Sequence, residues 1–132
     1  MCIRDRSHWN SNFDKRWGGF GQAPKFPNSG AILHLLNDYN ETGNQTSLYS
    51  AVKTLDSMFQ GGIYDHVGGG FARYSVDEKW LVPHFEKMLY DNAQLMETYL
   101  VGYQLTKNEN YLTVISQILE WLKDEIDEEY ID

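Results

Sequence analysis

Apolar residues recur at helical spacing along four stretches of the chain. In the first stretch Ile32, Leu35, Leu36 and Tyr39 follow the i, i+3, i+4, i+7 pattern, which places them on one face of a helix. Similar stripes predict four helices in all, over about 29–39, 47–59, 83–105 and 109–126, the third beginning at Pro83 or His84. The connections within the first and the second pair are short, so each pair is expected to form an antiparallel αα-hairpin.

A 20-residue segment, 63–82, separates the two predicted hairpins. It contains three consecutive glycines at 68–70 and then aromatic and β-branched residues that alternate with charged ones. We expect an ordered loop with a short two-stranded β-ribbon around 76–79. A connection of this length inside a compact domain is usually functional, which makes this loop the first place to look for a site.

The pattern predicts an all-α fold built from antiparallel αα-hairpins. An independent four-helix bundle is one possibility. Helices three and four, however, carry apolar residues on more than one stripe, as helices packed between neighbours do. The chain also ends without a C-cap glycine. These features favour a part of a larger helical assembly; the additional apolar positions are Leu89, Leu100, Leu112, Leu119 and Trp121.

Composition excludes several classes of function. The 132 residues carry a formal net charge of −8, which argues against nucleic acid or an anionic membrane as a partner. No run of 18 apolar residues occurs, Cys2 is the one cysteine, and the first residues do not form a signal peptide, so we expect a cytoplasmic protein. Residues 1–7 look like translated sequencing-adapter read-through, which leaves 8–132 as the domain.

Carboxylate, imidazole and cationic side chains are concentrated between 65 and 92. His84 and Asp91 are seven residues apart, so one face of the third predicted helix can present both. Together with His66 and Arg73 from the loop they would form a polar cleft that holds an acid, a base and a cation. Two purely structural interpretations remain open: Asp65 and His66 fixing the glycine-rich turn, and His84 satisfying backbone groups at a helix start.

Other chemistries fit the residues less well. His66 and His84 are the realistic imidazole ligands and no third ligand is evident, so no metal and no cofactor is predicted. The glycine runs lack the spacing of phosphate-binding loops, and Ser75 is not part of a nucleophile elbow. The aromatic rings of Trp17, Tyr74 and Trp80 belong either to the core or to a platform on which a sugar stacks.

Two long strings carry a resemblance to a known family. They are Gly18-Gly-Phe-Gly-Gln-Ala-Pro-Lys-Phe-Pro27 and the stretch from Gly61 to Leu95, which includes Tyr-Asp-His-Val-Gly-Gly-Gly-Phe and Val-Pro-His-Phe-Glu-Lys-Met-Leu-Tyr-Asp-Asn. Over about 13–126 the chain resembles the spermatogenesis-associated protein 20 / YyaL-like family. That family joins a thioredoxin-like domain to an α/α toroid, which is similar to N-acylglucosamine 2-epimerases and six-hairpin glycosidases. The resemblance implies that 8–132 is a partial toroid, roughly its first two hairpins.

The resemblance also implies roles for the polar residues. Epimerase relatives isomerise sugars with paired acid and base groups, a role that here falls to His66 or His84, with Arg73 orienting substrate oxygens. A small sugar is then the expected ligand, and the remaining hairpins and the thioredoxin-like domain of the same protein are the expected partners. The alternative is a non-catalytic scaffold for the redox domain, and this piece alone is expected to be inactive. The candidate catalytic residues are His66, His84, Asp65, Glu86 and Asp91, and the candidate binding residues are Arg73, Tyr74, Trp80, Tyr90 and Asn92.

Overall fold

Helices dominate the structure, a computed structural model that describes residues 13–21, 25–66, 68–83 and 87–130, with side chains up to 125. In this part of the chain there are four helices, as the periodicity predicts. Each begins or ends within a few residues of the expected position, apart from the start of the third. The helices are α1 Ser29–Thr42, α2 Gln45–Gln60, α3 Leu89–Thr106 and α4 Glu109–Tyr130.

The turn between α1 and α2 is set by two residues. Gly43 ends α1 in the left-handed region at φ 73°, where its N–H donates to the carbonyl of Tyr39. Asn44 follows directly and begins α2, because its side-chain oxygen accepts hydrogen bonds from the N–H groups of Thr46 and Ser47. The two helices are therefore forced into an antiparallel hairpin.

The two hairpins lie side by side. α1 packs against both α2 and α3, and α3 packs against α4. The Tyr99 ring on α3 is fully buried, stacks on Phe71, and its hydroxyl donates to the carbonyl of Leu55 at 2.7 Å. Ser29 Oγ at the start of α1 donates to Gln94 Oε1 in the second turn of α3, so these two helices begin at the same end of the molecule.

The predicted β-ribbon is not confirmed. Within the described residues the loop contains isolated antiparallel bridges, which pair Ser75 with both Lys25 and Pro83, instead of strands. The cause is Asp77, whose carboxylate accepts hydrogen bonds from the backbone N–H groups of Leu81 and Val82 at 3.1 and 2.9 Å. These amides would otherwise be available to a β-ladder.

The predicted start of the third helix at Pro83 or His84 is wrong. α3 begins at Leu89, and Met88 before it is extended and provides no side-chain cap. Pro83 is instead held in the bridge to Ser75, and Lys87 Nζ is bound to Asp65 Oδ2 at 2.6 Å. Both residues are thus held by long-range contacts and lie outside the helix, while the expected pairing of His84 with Asp91 involves a residue outside the described part of the chain.

The leucines of the additional apolar stripes of the second hairpin stay open to solvent, whereas Trp121 is half-buried. Leu100 on α3 is 44% exposed and Leu119 on α4 is 51% exposed. No helix in the described ranges combines the length and the apolar character needed to cross a membrane. The core is formed by the opposite faces of the helices together with the loop, and its largest members are Trp80, Tyr64, Tyr99, Tyr111 and Phe71.

Candidate functional site

The connection between α2 and α3 is held in place by its own backbone. The N–H of Ile63 donates to the carbonyl of Trp80 at 3.1 Å, and the N–H of Ala72 donates to the carbonyl of Ile63 at 2.9 Å. Trp80 is fully buried at φ 65°, a rare conformation for an aromatic residue, and its Nε1 donates to the carbonyl of Trp17. The loop is thus a fixed wall at the end of the molecule where α1 and α3 begin.

One cleft lies between the starts of α1 and α3 and has a volume of about 360 Å³. Arg73 enters it from the loop, and Asp91 and Gln94 enter from successive turns of α3. Phe26 contributes an aromatic ring that is 48% exposed, and Tyr74 packs on that ring at 5.0 Å between centroids. The remaining lining residues are Pro27, Asn28, Ser29, Gly30 and Leu95.

A second cavity of about 370 Å³ lies on another side of the loop. Its polar lining comes from Tyr64, Asp65, His66 and Lys87. The His66 imidazole is exposed, packs edge-on against the ring of Tyr64, and has its Nε2 3.3 Å from the carbonyl oxygen of Gly61. The predicted single cleft is therefore divided, since Arg73 and Asp91 line one cavity and Asp65 and His66 line another.

The Asp65 carboxylate holds the glycine-rich turn. Its Oδ1 accepts from the N–H of Gly68 at 2.8 Å, and its Oδ2 accepts from Lys87 Nζ, which also donates to the carbonyl of Gly69 at 2.9 Å. The turn approaches α4 so closely that a Cβ atom on Gly69 would lie 2.5 Å from the carbonyl oxygen of Gln117. Of the two open interpretations of Asp65, this geometry supports the structural one.

The Tyr64 hydroxyl is a hydrogen-bond donor beside the second cavity. Burial, together with the charge of Asp65, raises the pKa of its hydroxyl to about 12. The hydroxyl donates a hydrogen bond to Gln117 Oε1 on α4. At neutral pH Tyr64 therefore stays protonated and ties the loop to the second hairpin.

Two of the candidate binding residues are part of the core. Trp80 is completely buried, which resolves the choice left open for its ring in favour of the core. Asn92 is also completely buried, and its amide is hydrogen-bonded to both backbone groups of Phe71. Tyr90, in contrast, is 71% exposed and its hydroxyl accepts from Gln94 Nε2 at the edge of the first cleft.

The sequence-based assignment missed several residues and included two that lie outside the described part of the chain, His84 and Glu86. Phe26 and Gln94 line the first cleft, and Lys87 lines the second. Gln94 follows Asp91 by three residues on a helix, so its spacing was a usable signal. Phe26 lies 47 residues before Arg73, and no local pattern connects them.

Among the described residues no group of three His, Cys, Asp or Glu side chains is placed to hold a metal ion.

Comparison with solved structures defines the class of fold. Cellobiose 2-epimerase from Spirochaeta thermophila superimposes with a TM-score of 0.81 over 90% of this chain and 32% of its own, at 18% identity. A sugar epimerase from a ruminal bacterium gives a TM-score of 0.76 over 94% and 34% of the two chains, also at 18% identity. The protein therefore has the fold of epimerase-type α/α toroids, and the predicted fold class is confirmed.

Comparison of sequences identifies the relatives. The chain is 44% and 43% identical to spermatogenesis-associated protein 20 of Homo sapiens and Mus musculus over 119 residues, and 46% identical over 124 residues to an uncharacterized protein of Caenorhabditis elegans. It is a homologue of spermatogenesis-associated protein 20 across 86% of its length, as the sequence strings predicted. It spans only 15–17% of the length of these relatives. No family model matches the chain.

Proposed function

We propose that the cleft lined by Phe26, Arg73, Asp91 and Gln94 binds a carbohydrate. The observation that carries this proposal is the combination of a cation, a carboxylate, an amide and an exposed aromatic ring around one cavity of about 360 Å³. Sugars present hydroxyl groups at their edges and C–H groups on their faces, so they need both polar partners and an apolar surface. The similarity in fold to sugar epimerases supports the same ligand class.

Each lining residue has a role that matches its chemistry. The Arg73 guanidinium donates several hydrogen bonds in a fixed plane, and the Asp91 carboxylate accepts from hydroxyl groups. Gln94 both donates and accepts, and it is already positioned by Ser29 Oγ and the Tyr90 hydroxyl. The three side chains come from a rigid loop and the first turns of one helix, so little ordering is needed when a ligand binds.

Acid/base chemistry of the epimerase or glycosidase type is the proposed activity of the longer protein. His66 is the described imidazole at this end of the molecule, and it lines the second cavity; His84 is the other candidate. Asp65 is engaged with Lys87, which leaves Asp91 as the described carboxylate that faces a ligand cleft. The remaining hairpins and a thioredoxin-like domain would complete the site in that protein.

Titration calorimetry of the full-length protein with a panel of mono- and disaccharides tests the proposal. We expect saturable binding of at least one sugar, and a loss of about tenfold in affinity for Arg73→Gln and for Asp91→Asn, since each removes a charge-assisted hydrogen bond. Lys123→Gln and Glu97→Gln remove the same charges from exposed helix positions outside the cleft and serve as matched controls. If no sugar binds, or if the controls weaken binding equally, the cleft is not a carbohydrate site.

A second function, a rigid scaffold for an attached redox domain, is favoured by one observation. Three of the candidate site residues, Asp65, Trp80 and Asn92, make contacts that hold the loop together. A scaffold needs that rigidity and does not need His66. This alternative predicts that His66→Ala and Asp91→Asn both leave every activity of the full-length protein intact, whereas the carbohydrate proposal predicts that Asp91→Asn weakens sugar binding.

A further inference from the structure

A cationic pocket of about 230 Å³ lies at the same end of the molecule, apart from both cavities described above. Arg16 comes from the segment before α1, Lys53 from α2 and Lys79 from the α2–α3 loop. None of the described residues that line it is acidic. The chain as a whole has a net charge of −8, whereas the side chains that line this pocket carry a net positive charge.

None of these three cations forms an ion pair with a carboxylate of another described residue. The ion pairs between described residues join Lys25 to Asp14 and Lys87 to Asp65, and they involve none of the three pocket cations. Asp56 lies close enough to Lys53 for their charges to interact, and its carboxylate also accepts a hydrogen bond from the Tyr111 hydroxyl at 2.8 Å. Within the described ranges, the three cations of the pocket are therefore not neutralised by direct ion pairs.

Trp17 holds two of the cations in position. The Arg16 guanidinium lies 5.0 Å and the Lys79 ammonium 5.3 Å from the centre of the indole, which is within cation–π range. The backbone of Trp17 is fixed in turn, since its N–H donates to Asp14 Oδ1 and its carbonyl accepts from Trp80 Nε1. Long cationic side chains are normally mobile, so this arrangement reduces the entropy lost when they bind an anion.

We infer that this pocket binds a phosphate-type oxyanion. Two or three cations are what a dianion requires for neutralisation, and Arg and Lys are the side chains that recognise it. Ser57 and Gln60 add neutral hydrogen-bonding groups to the lining.

The pocket shares no lining residue with the Arg73 cleft, so the two proposals stand or fall separately. The oxyanion is either free phosphate or the phosphoryl group of a larger metabolite. The affinities of a phosphorylated monosaccharide, of the same sugar without phosphate and of inorganic phosphate distinguish the two sources. The ligand is the larger metabolite if the phosphorylated sugar binds more tightly than inorganic phosphate and the unphosphorylated sugar does not bind here. Equal affinity of the phosphorylated sugar and inorganic phosphate identifies phosphate itself.

The first experiment is calorimetric titration of the full-length protein with inorganic phosphate at constant ionic strength. We expect saturable binding that weakens about tenfold in Lys53→Gln and in Lys79→Gln, since each loses one charge-assisted contact. Lys15→Gln is the matched control, because Lys15 is exposed, adjacent to Arg16 and not part of the lining. Its affinity is expected to stay within about twofold of the unchanged protein.

The variants are compared by circular dichroism before titration, and Lys79→Arg, which preserves the charge and the contact with Trp17, is expected to retain binding. Absence of saturable binding in the unchanged protein overturns the inference. So does an equal loss in Lys15→Gln, which would mean that phosphate responds only to the net charge of the surface.

Discussion

Asn92 and Phe71 exchange two hydrogen bonds across the boundary between the loop and α3. The N–H of Phe71 donates to Asn92 Oδ1 at 2.7 Å, and Asn92 Nδ2 donates to the carbonyl of Phe71 at 3.1 Å and to that of Met88 at 2.9 Å. A side-chain amide here replaces a backbone partner, in the way that a β-ladder would pair a strand residue. The contact fixes the loop on the first turn of α3.

We expect Asn92→Ala to loosen this loop strongly. The substitution leaves a buried N–H and a buried carbonyl of Phe71 without partners, which lowers the local free energy of opening by about 3 kcal/mol. Hydrogen exchange of the segment around Phe71 in the full-length protein measures the effect. Asn37→Ala, at an exposed position of α1, should leave the protection of that segment unchanged. Equal protection in both variants would show that the two hydrogen bonds between Asn92 and Phe71 do not stabilise the loop.

Substitutions at Gly19 and Gly21 distinguish the stability cost of a steric clash from the cost of backbone strain. Both have φ near 80°, but a Cβ on Gly19 would lie 2.5 Å from the buried ring of Trp80, whereas a Cβ on Gly21 has no described atom within 4 Å. We expect Gly21→Ala to cost about 1 kcal/mol of stability through φ alone, and Gly19→Ala to cost about 3 kcal/mol because the clash is added. Hydrogen exchange of 71–83 in the full-length protein compares the two. Similar costs would mean that Trp80 moves aside freely.

The turn at Asp77 should depend on pH. Burial opposes ionisation of its carboxyl, but hydrogen bonds from Ser75 Oγ and the N–H groups of Val82 and Leu81 outweigh it and hold the pKa below its ordinary value. Because the folded pKa is lower than the unfolded one, the stabilisation is complete above the ordinary pKa of about 4 and is lost as the pH falls through the folded value.

Limited digestion with pepsin at several acidic pH values tests this. The unchanged protein should resist cleavage in 75–83 better than Asp77→Asn near pH 4, and this advantage should shrink toward pH 2. Comparing the two proteins at each pH cancels the pH dependence of pepsin itself. Glu78→Gln, at the exposed neighbouring position, should behave as the unchanged protein does, and a pH-independent ratio would refute the prediction.

The stripe on α4 formed by Leu112, Ile115, Leu119 and Leu122, in which Ile115 and Leu122 are partly buried against the core and the other two are exposed, should be covered in the longer protein. The residues follow each other at helical spacing, and Leu112 and Leu119 are 39% and 51% exposed here. We expect Leu119→Gln to lower the stability of the full-length protein by about 2 kcal/mol, because it replaces an apolar side chain in an interface between hairpins. Ser116→Gln on the same helix is the control. Equal melting temperatures would show that the stripe faces solvent there too.

The sequence predicts the helices of this fold well, because their stripes depend on residues three or four positions apart. The start of α3 could not be predicted in this way. Pro83 is paired with Ser75 and Lys87 with Asp65, and neither contact can be predicted from the spacing of nearby residues in the sequence. In the same way, the candidate residues were recognised by type, but their division between two cavities depends on how the loop folds back on Ile63.

The backbone of that loop is held by main-chain hydrogen bonds and by side chains that point into the core. Arg73, His66 and Lys79 project from it, each toward a different cavity, and none of them donates or accepts within the bonds that join Ile63 to Ala72 and Trp80. Substitutions at these three positions therefore change the lining of three cavities while they leave the main-chain bonds of the loop in place. For any relative with the same loop backbone, the residues at these outward-facing positions would be a better guide to ligand preference than the shape of the loop.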